Sequence, residues 1–530
     1  MEKVHRRFGM KTRFLKLASM VCLAAAMSTA AVPVMAATGP DDIEIKDEIN
    51  VSITAENAVY DLHKTTANGS RVALCGTVYE QLVTLNGEGE PVPELCESYE
   101  MSDDATEFTF VLRQGVKFHD GSEMTAEDVV ASLNRWIDNY SAVAQLVGDA
   151  RFEKVDDTTV KIKTESPCVT LLYLLAGGAQ RAVITTEEAI ASEGEDGYMT
   201  EIIGTGPYTF KEWKMDQYVW LEKFDDYVPY GDPDQPCDGW AGYKHAYTPN
   251  IYLWVVPEET TRMAGLQTGQ YDAANISDAT LVQTEGNDAL KVYSEEGGQV
   301  SIVFNKKEGL CADQNMRKAI NSIVDADELL AVSYGTSYNL GSCYMESYQN
   351  AWYTEAGSEN YNQKDYEAAK QYLDDAGYDG STLKILVASA NNFDKIGQVL
   401  EQELEAQGID CEMTTVDWGT FTEYRNDPSK YDLYISSFAS VPVPSLRNYF
   451  GADYAGWTDD EKLNDLWDVY NSATSIEDTT KAWEDIQSYC WDYLPIINLG
   501  HYVSHDAMNS SMEGVIYYNC NYFWNAYIPQ

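Results

Sequence analysis

Phe108-Thr109-Phe110-Val111-Leu112-Arg113-Gln114-Gly115-Val116-Lys117-Phe118-His119-Asp120-Gly121-Ser122 runs from a two-residue alternation into a polar turn. Phe108, Phe110 and Leu112 fall on one side and Thr109, Val111 and Arg113 on the other, the pattern of a half-buried strand. Asp120-Gly121 supplies the backbone freedom of a tight turn. Thr125-Ala126-Glu127-Asp128 then reads as a helix N-terminus. The Thr125 hydroxyl can satisfy an orphan amide, and Glu127 and Asp128 suit the positive end of the helix dipole. Val129, Leu133, Trp136 and Ile137 line one face of that helix. The expected order is strand, turn, capped helix.

Working outward, residues 51–54 read as a first strand and 71–83 as an amphipathic helix, followed by a turn at 85–89. Residues 208–220 alternate as a hairpin, and Ile251, Leu253 and Val255 as another strand. A helix opening at 257–262 closes at Gly269. Tyr366, Ala369, Leu373 and Ala376 mark a helix ended by Gly377, where a left-handed cap belongs. Leu383, Ile385 and Val387 give a strand, and Ile396, Val399, Leu400 and Leu404 a helix stopped by Gly408. A last helix carries Trp483, Ile486, Tyr489 and Cys490 up to Pro495. This alternation of strand and helix argues for an α/β protein.

The same residues resemble a known family. Phe110-x-Leu112-Arg113-x-Gly115-Val116-Lys117-Phe118-His119-Asp120-Gly121, then Thr125-Ala126-Glu127-Asp128-Val129, is similar to the signature of the family-5 extracytoplasmic solute-binding proteins. Those are the peptide, nickel and oligosaccharide receptors of ABC importers. Tyr79-Glu80-Gln81-Leu82-Val83, residues 92–99, Gly204-Thr205-Gly206-Pro207-Tyr208, the pattern from Arg262 to Asp272 and that from Asp313 to Asp325 resemble further family elements in the right order. The resemblance runs from about Val51 to about Leu499. It implies a periplasmic-binding-protein-like type II fold with three lobes, a hinge and a ligand cleft. The expected division is a signal peptide at 1–36 and lobe I at 37–89, 201–294 and 496–530. Lobe II is a small inserted domain at 90–200, and lobe III spans 295–495.

Composition narrows the partners. The chain has 530 residues, with 36 basic against 85 acidic side chains and a formal charge of −49. Nucleic acid is excluded as an expected partner, because phosphate contacts need clustered Lys and Arg. Adhesion to anionic lipid is disfavoured for the same reason. Lys3, Arg6, Arg7, Lys11, Arg13 and Lys16 precede an apolar segment at 17–34, and Val34-Met35-Ala36 offers a small-residue cleavage site. The expectation is a secreted, extracytoplasmic protein. Ser19-Met20-Val21 is a poor lipobox before Cys22, so no lipid anchor is expected. Nine cysteines remain beyond Cys22, none at C-x-x-C spacing. Most are expected as buried small residues, with one or two disulfides.

No catalytic motif stands out. H-E-x-x-H, G-x-S-x-G and Walker A are all missing, and the 204–206 glycines lack the P-loop Lys-Ser/Thr. His501 and His505 are the only close histidine pair, but the segment reads as strand and no third ligand is implied. No metal, cofactor or catalytic residue is therefore assigned. Arg262 and Asp272 read as structural pairing or capping. A binding site predicts aromatic and polar groups facing a cleft. The candidates are Phe438, Trp418, Tyr60 and Tyr140, with Arg425 as a possible carboxylate partner. In the family's peptide binders a Trp precedes by three residues an Asp that pairs with the peptide amine. Here Phe438 stands at the Trp position and Val441 at the Asp position.

The expected protein is a monomeric receptor with no enzymatic activity. It captures a small solute, a peptide first, and delivers it to an ABC permease. An oligosaccharide or a chelated metal stays open as ligand. From other classes, so do a secreted hydrolase and a receptor that signals without transport.

Overall fold

The computed structural model describes residues 43–55, 59–178, 180–518 and 521–530. The expected signal peptide, Cys22 and Cys520 lie outside the described residues.

One mixed sheet forms the backbone of the molecule. Across it run Cys411–Val416, Leu383–Ala388, Leu433–Phe438, Leu290–Phe304, Ile496–Asn509, Ala273–Ile276, Glu48–Ile53, Asn250–Val255, Tyr218–Lys223 and Tyr208–Lys214. Tyr338–Asn339 adds an eleventh strand beside Ile496–Asn509. The two central strands are also the longest, at 15 and 14 residues. Met508 and His505 of one pair with Ala273 and Ile276 on one flank, while Gln299 to Phe304 of the other pair with Phe438 to Leu433 on the opposite flank. The two strands therefore carry the chain from one half-sheet to the other.

Their mutual ladder is irregular between Glu296 and Gln299 and again between Val300 and Ser301. Gly297 and Gly298 sit at the first irregularity. A Cβ on Gly297 would lie 2.2 Å from the Tyr502 ring, and one on Gly298 2.2 Å from the Phe438 carbonyl oxygen. Only glycine allows that approach.

A separate four-stranded antiparallel sheet comprises Cys96–Met101, Glu107–Leu112, Thr159–Lys163 and Glu153–Asp156. Here the opening stretch finds its place. Phe108, Phe110 and Leu112 are buried, and Thr109 and Val111 are partly exposed. Gly121 takes φ +89° in the turn. The following helix, Ala126–Asn139, opens with a capping box: Thr125 Oγ1 accepts from the Asp128 amide at 3.2 Å, and Asp128 Oδ2 accepts from the Thr125 amide at 3.0 Å. Val129, Leu133, Trp136 and Ile137 are fully buried, as their spacing predicts.

Two expectations need correction. The helix read over 71–83 is only Asn68–Leu74. Cys75 is extended and Gly76 adopts φ +73°, where any Cβ would meet the Trp524 ring at 2.6 Å. The chain must turn there to pack under Trp524, which overrides the helical periodicity. The expected disulfides are also not seen among the described residues. All eight described cysteines are free thiols, six of them buried, so apolar burial rather than cross-linking explains them.

Arg262 and Asp272 are structural, though not with each other. Arg262 donates to the carbonyls of Val256, Pro257 and Asn275. Asp272 accepts from Lys46 and from the Asn50 amide.

Candidate functional site

The helix Ala126–Asn139 does more than fill a core. Trp136 Nε1 donates to the Gln180 carbonyl at 2.8 Å, and Ser132 Oγ donates to that of Thr185 at 2.9 Å. The segment 180–185 is thus pinned against the helix. Its other edge is fixed by backbone bonds from Arg181 to Leu62 and from Ile184 to Glu80. Held this way, Arg181 lines a cavity between two walls.

The first wall combines Arg71, Leu85, Tyr173, Arg181, Trp240 and Tyr518. Trp240 is placed by its own backbone, whose amide donates to the Leu85 carbonyl, and by its indole N–H, which donates to the Tyr518 carbonyl at 3.1 Å. Gly239 before it has φ +62°, and a Cβ there would collide with Asn86 at 2.5 Å.

The second wall comes from 348–352 and 440–442. Glu346 organises it from behind, accepting two bonds from Arg447 Nη2 at 2.8 and 2.9 Å and one from Ser440 Oγ at 3.2 Å. Burial disfavours the Arg447 charge, but the Glu346 carboxylate more than offsets this and holds its pKa above the ordinary arginine value. Arg447 Nη1 also donates to the Ala439 carbonyl, and Gln349 Nε2 to that of Val441. Tyr348 and Ser440 share a hydroxyl bond of 2.5 Å. The loop 439–442 is therefore clamped from two sides.

The walls touch. Tyr173 meets Trp352 edge to face at 5.2 Å between ring centres, and Tyr348 meets Tyr518 at 5.9 Å. Asn350 Nδ2 donates to Glu88 at 2.5 Å. The space left between them is about 30 Å³, room for about one water. Larger grooves exist, one of about 650 Å³ beside Glu296, Asn339 and His501, and one of about 470 Å³ beside Tyr60. Neither is lined by residues of either wall, and both are open to solvent. The cavity between the walls is lined by residues of both halves.

The five residues singled out from sequence do not line this cavity. Phe438 ends the strand Leu433–Phe438 and packs on Tyr449 at 4.9 Å and Tyr454 at 6.2 Å. The residues just after it, Ser440 and Val441, reach the cavity. Arg425 lies over the Tyr454 ring at 5.6 Å, and its Nη1 donates to the Tyr454 hydroxyl at 3.3 Å, so it joins Phe438 around one tyrosine. Trp418 is 45% exposed and stacks on Phe421. Tyr60 sits apart, between Phe210 and Trp213. Tyr140 caps the signature helix, buried beside Trp136.

Sequence reasoning did not single out Arg181, Trp240, Tyr173, Trp352 or Tyr348. A usable signal existed for Arg181: a lone cation between two apolar runs, 171–176 and 182–184, in a chain poor in bases. Tyr173 sits in the uniformly apolar helix Leu171–Gly177, where periodicity marks no face, and the others lie in irregular segments.

The histidine pair stays in strand. His501 Nδ1 lies 3.1 Å from Glu296, and His505 bonds Ser294 and Ser337. Among the described residues no cluster of three or more His, Cys, Asp or Glu could hold a metal.

Two half-sheets joined by a pair of long strands, with a cavity walled by both halves, define a type II periplasmic-binding-protein fold. The oligopeptide-binding protein AppA from Bacillus subtilis, solved with a nonapeptide, superposes with a TM-score of 0.70. That match covers 92% of this chain and 100% of AppA at 20% identity. The family of bacterial extracellular solute-binding proteins, family 5, matches residues 90–458, and the chain belongs to it. Among curated relatives is the "Probable peptide ABC transporter periplasmic-binding protein y4tO" of Sinorhizobium fredii, 26% identical over 508 residues, 90% of this chain and 92% of the relative. The glutathione-binding protein GsiB of Salmonella paratyphi A is 28% identical over 424 residues, 77% of this chain and 75% of the relative. Family membership makes this an extracytoplasmic solute-binding protein. Among the described residues no helix is long and apolar enough to cross a membrane.

Proposed function

We propose that this protein is the substrate-binding receptor of an ABC importer, capturing a peptide and presenting it to a membrane permease. The observation that carries the reading is the aromatic cavity built jointly by 71–89, 173–181 and 240 on one side and 348–352 and 440–442 on the other. Rigid aromatic faces supply apolar area at little entropy cost, and a few fixed polar groups set orientation. The peptide assignment is supported by relatives whose names specify peptide or glutathione binding.

Three lobes divide the work. The four-stranded sheet belongs to a small inserted lobe II, near 90–200. Lobe I holds one half-sheet and lobe III, near 295–495, the other. The strands Leu290–Phe304 and Ile496–Asn509 act as the hinge, bending at the Gly297-Gly298 irregularity. The work is binding and closure, with no bond broken. Phe438 acts as a support under the 439–442 loop rather than as a ligand contact.

Native mass spectrometry of freshly purified protein, followed by denaturation, tests this directly. A ladder of released peptide masses supports the peptide receptor. A single sugar or metal-chelate mass contradicts the peptide assignment, and turnover of the bound molecule contradicts the receptor.

A further inference from the structure

The buried arginines of this protein differ in one respect. Arg135 is held by Asp61 and Glu193 through four bonds of 2.6–3.0 Å. Arg317 donates to the carbonyls of Cys311, Ala312, Tyr493 and Leu494. Arg447 grips Glu346. Arg181 is as buried as these, at 3% exposure, yet its Nε and Nη1 have no hydrogen-bond partner. Its guanidinium instead lies over the Trp240 ring, 4.5 Å from the centre. An indole face offsets part of the desolvation of a cation, but it satisfies none of the N–H donors. A buried guanidinium with two idle donors is costly, and it calls for an acceptor.

The lining offers hydroxyl and amide oxygens but, among the described residues, no carboxylate. The chain has 85 Asp and Glu, yet none of the described ones lines this cavity, whereas Arg71 joins Arg181 on the same wall. Acids behind and beside the walls are engaged: Lys244 takes Glu94 at 2.6 Å and Glu80 at 3.1 Å, Arg447 takes Glu346, and Glu88 accepts from Asn350. Position 441, at the opposite wall, is Val. A ligand ammonium would therefore meet two cations and no counterion. A carboxylate would complete the geometry, because a guanidinium fork matches its two oxygens and the Trp240 platform fixes the plane of that fork.

We infer that Arg181, backed by Trp240, anchors a carboxylate of the ligand, and that this anion rather than a free amine is the handle by which the cavity selects its solute. The inference rests on the receptor reading above and specifies its substrate class. The carboxylate comes from the peptide C-terminus or from an acidic side chain.

Calorimetry on the full mature chain separates the outcomes. The probes are Ala-Phe-Ala as free acid, its C-terminal amide, its N-acetyl derivative, and Ala-Glu-Ala amide, whose only carboxylate is on the side chain. Wild type should bind the free acid and the N-acetyl acid within threefold of each other, and Ala-Phe-Ala amide at least tenfold more weakly. Arg181→Gln should lose at least tenfold for the acid and nothing further for the amide, with Arg181→Lys in between. Ala-Glu-Ala amide binding as well as the free acid supports the anchor with a side-chain source, and weak binding supports it with the C-terminus. Equal binding of acid and amide by wild type overturns the inference without any variant and leaves the receptor standing. So does undiminished acid binding by a folded Arg181→Gln. If wild type binds no probe, the peptide-receptor reading itself fails and the anchor falls with it.

Discussion

The family signature and the cavity walls are built on opposite terms. Residues 107–139 form one strand, one turn and one capped helix, with local hydrogen bonds and a continuous buried face. The cavity walls come from five or more chain segments, among them short helices at Arg71 and Tyr173 and irregular loops at 348–352 and 440–442, held by long-range bonds such as Arg447 to Glu346. The signature never touches the cavity. Its helix reaches it through Trp136, Ser132 and Asn139, which position the segment carrying Arg181. A motif can thus define a family while leaving the ligand open: it builds the frame, and the contacts are hung on it separately.

If the two regions divide the work this way, changes in the first should cost stability and changes in the second should cost binding. The largest effect is expected for Phe110→Ala, which empties a fully buried site between Tyr99 and Phe152. It should destabilise the protein by about 3–5 kcal/mol in urea melts while the folded fraction keeps its ligand affinity. Trp240→Leu keeps apolar bulk but removes the cation platform. It should weaken ligand binding about tenfold, or about 1.4 kcal/mol, in calorimetry. Loss of affinity in the first variant, or none in the second, would erase the distinction. Thr125→Ala breaks the capping box and should cost about 1 kcal/mol of stability, with binding unchanged.

A smaller, pH-dependent effect sharpens the comparison at the hinge. Burial, and then the charge of Asp506 on the partner strand, pushes Glu295 up to about 8. Burial pushes Asp506 up to about 6, against hydrogen bonds from Asn275 and Asn521. The folded chain therefore retains protons that the unfolded chain has released, so these groups lose stability as pH rises between about 4 and 8. His63 works the other way, since burial and then Arg135 hold it down to about 4 and stability falls as pH drops from 6.5. Comparing variants cancels the histidine contribution. Glu295→Gln should raise Tm by a few degrees at pH 8 and leave it nearly unchanged at pH 5. An equal shift at both pH values would remove the carboxyl pair from the hinge energetics.

What could be read from sequence follows the same division. The capping box, the alternation of Phe108, Phe110 and Leu112, and the αL glycines Gly269, Gly377 and Gly408 are local rules, and they hold in the structure. The 71–83 helix failed where a distant residue, Trp524, dictated the backbone at Gly76. Of the two positions that the family resemblance marks, Val441 lines the cavity and Phe438 lies behind it, packed on Tyr449. Tyr60 and Trp418 lie outside this cavity's lining, and residue type alone does not say which face of a lobe a ring occupies. Tyr173 and Trp352 meet across more than 150 residues of chain, and no periodicity reports that.

The central claim is that the walls part and close around the solute, and a covalent lock tests it. A Cβ on Gly177 would lie 3.7 Å from the Pro442 Cβ across the cavity, within the range of a disulfide. In the double variant Gly177→Cys, Pro442→Cys, exchange of bound ligand against labelled ligand should stop on oxidation and resume on reduction. Exchange at the same rate in the cross-linked and reduced protein would show that solute enters without separation of the walls, and the account would be wrong.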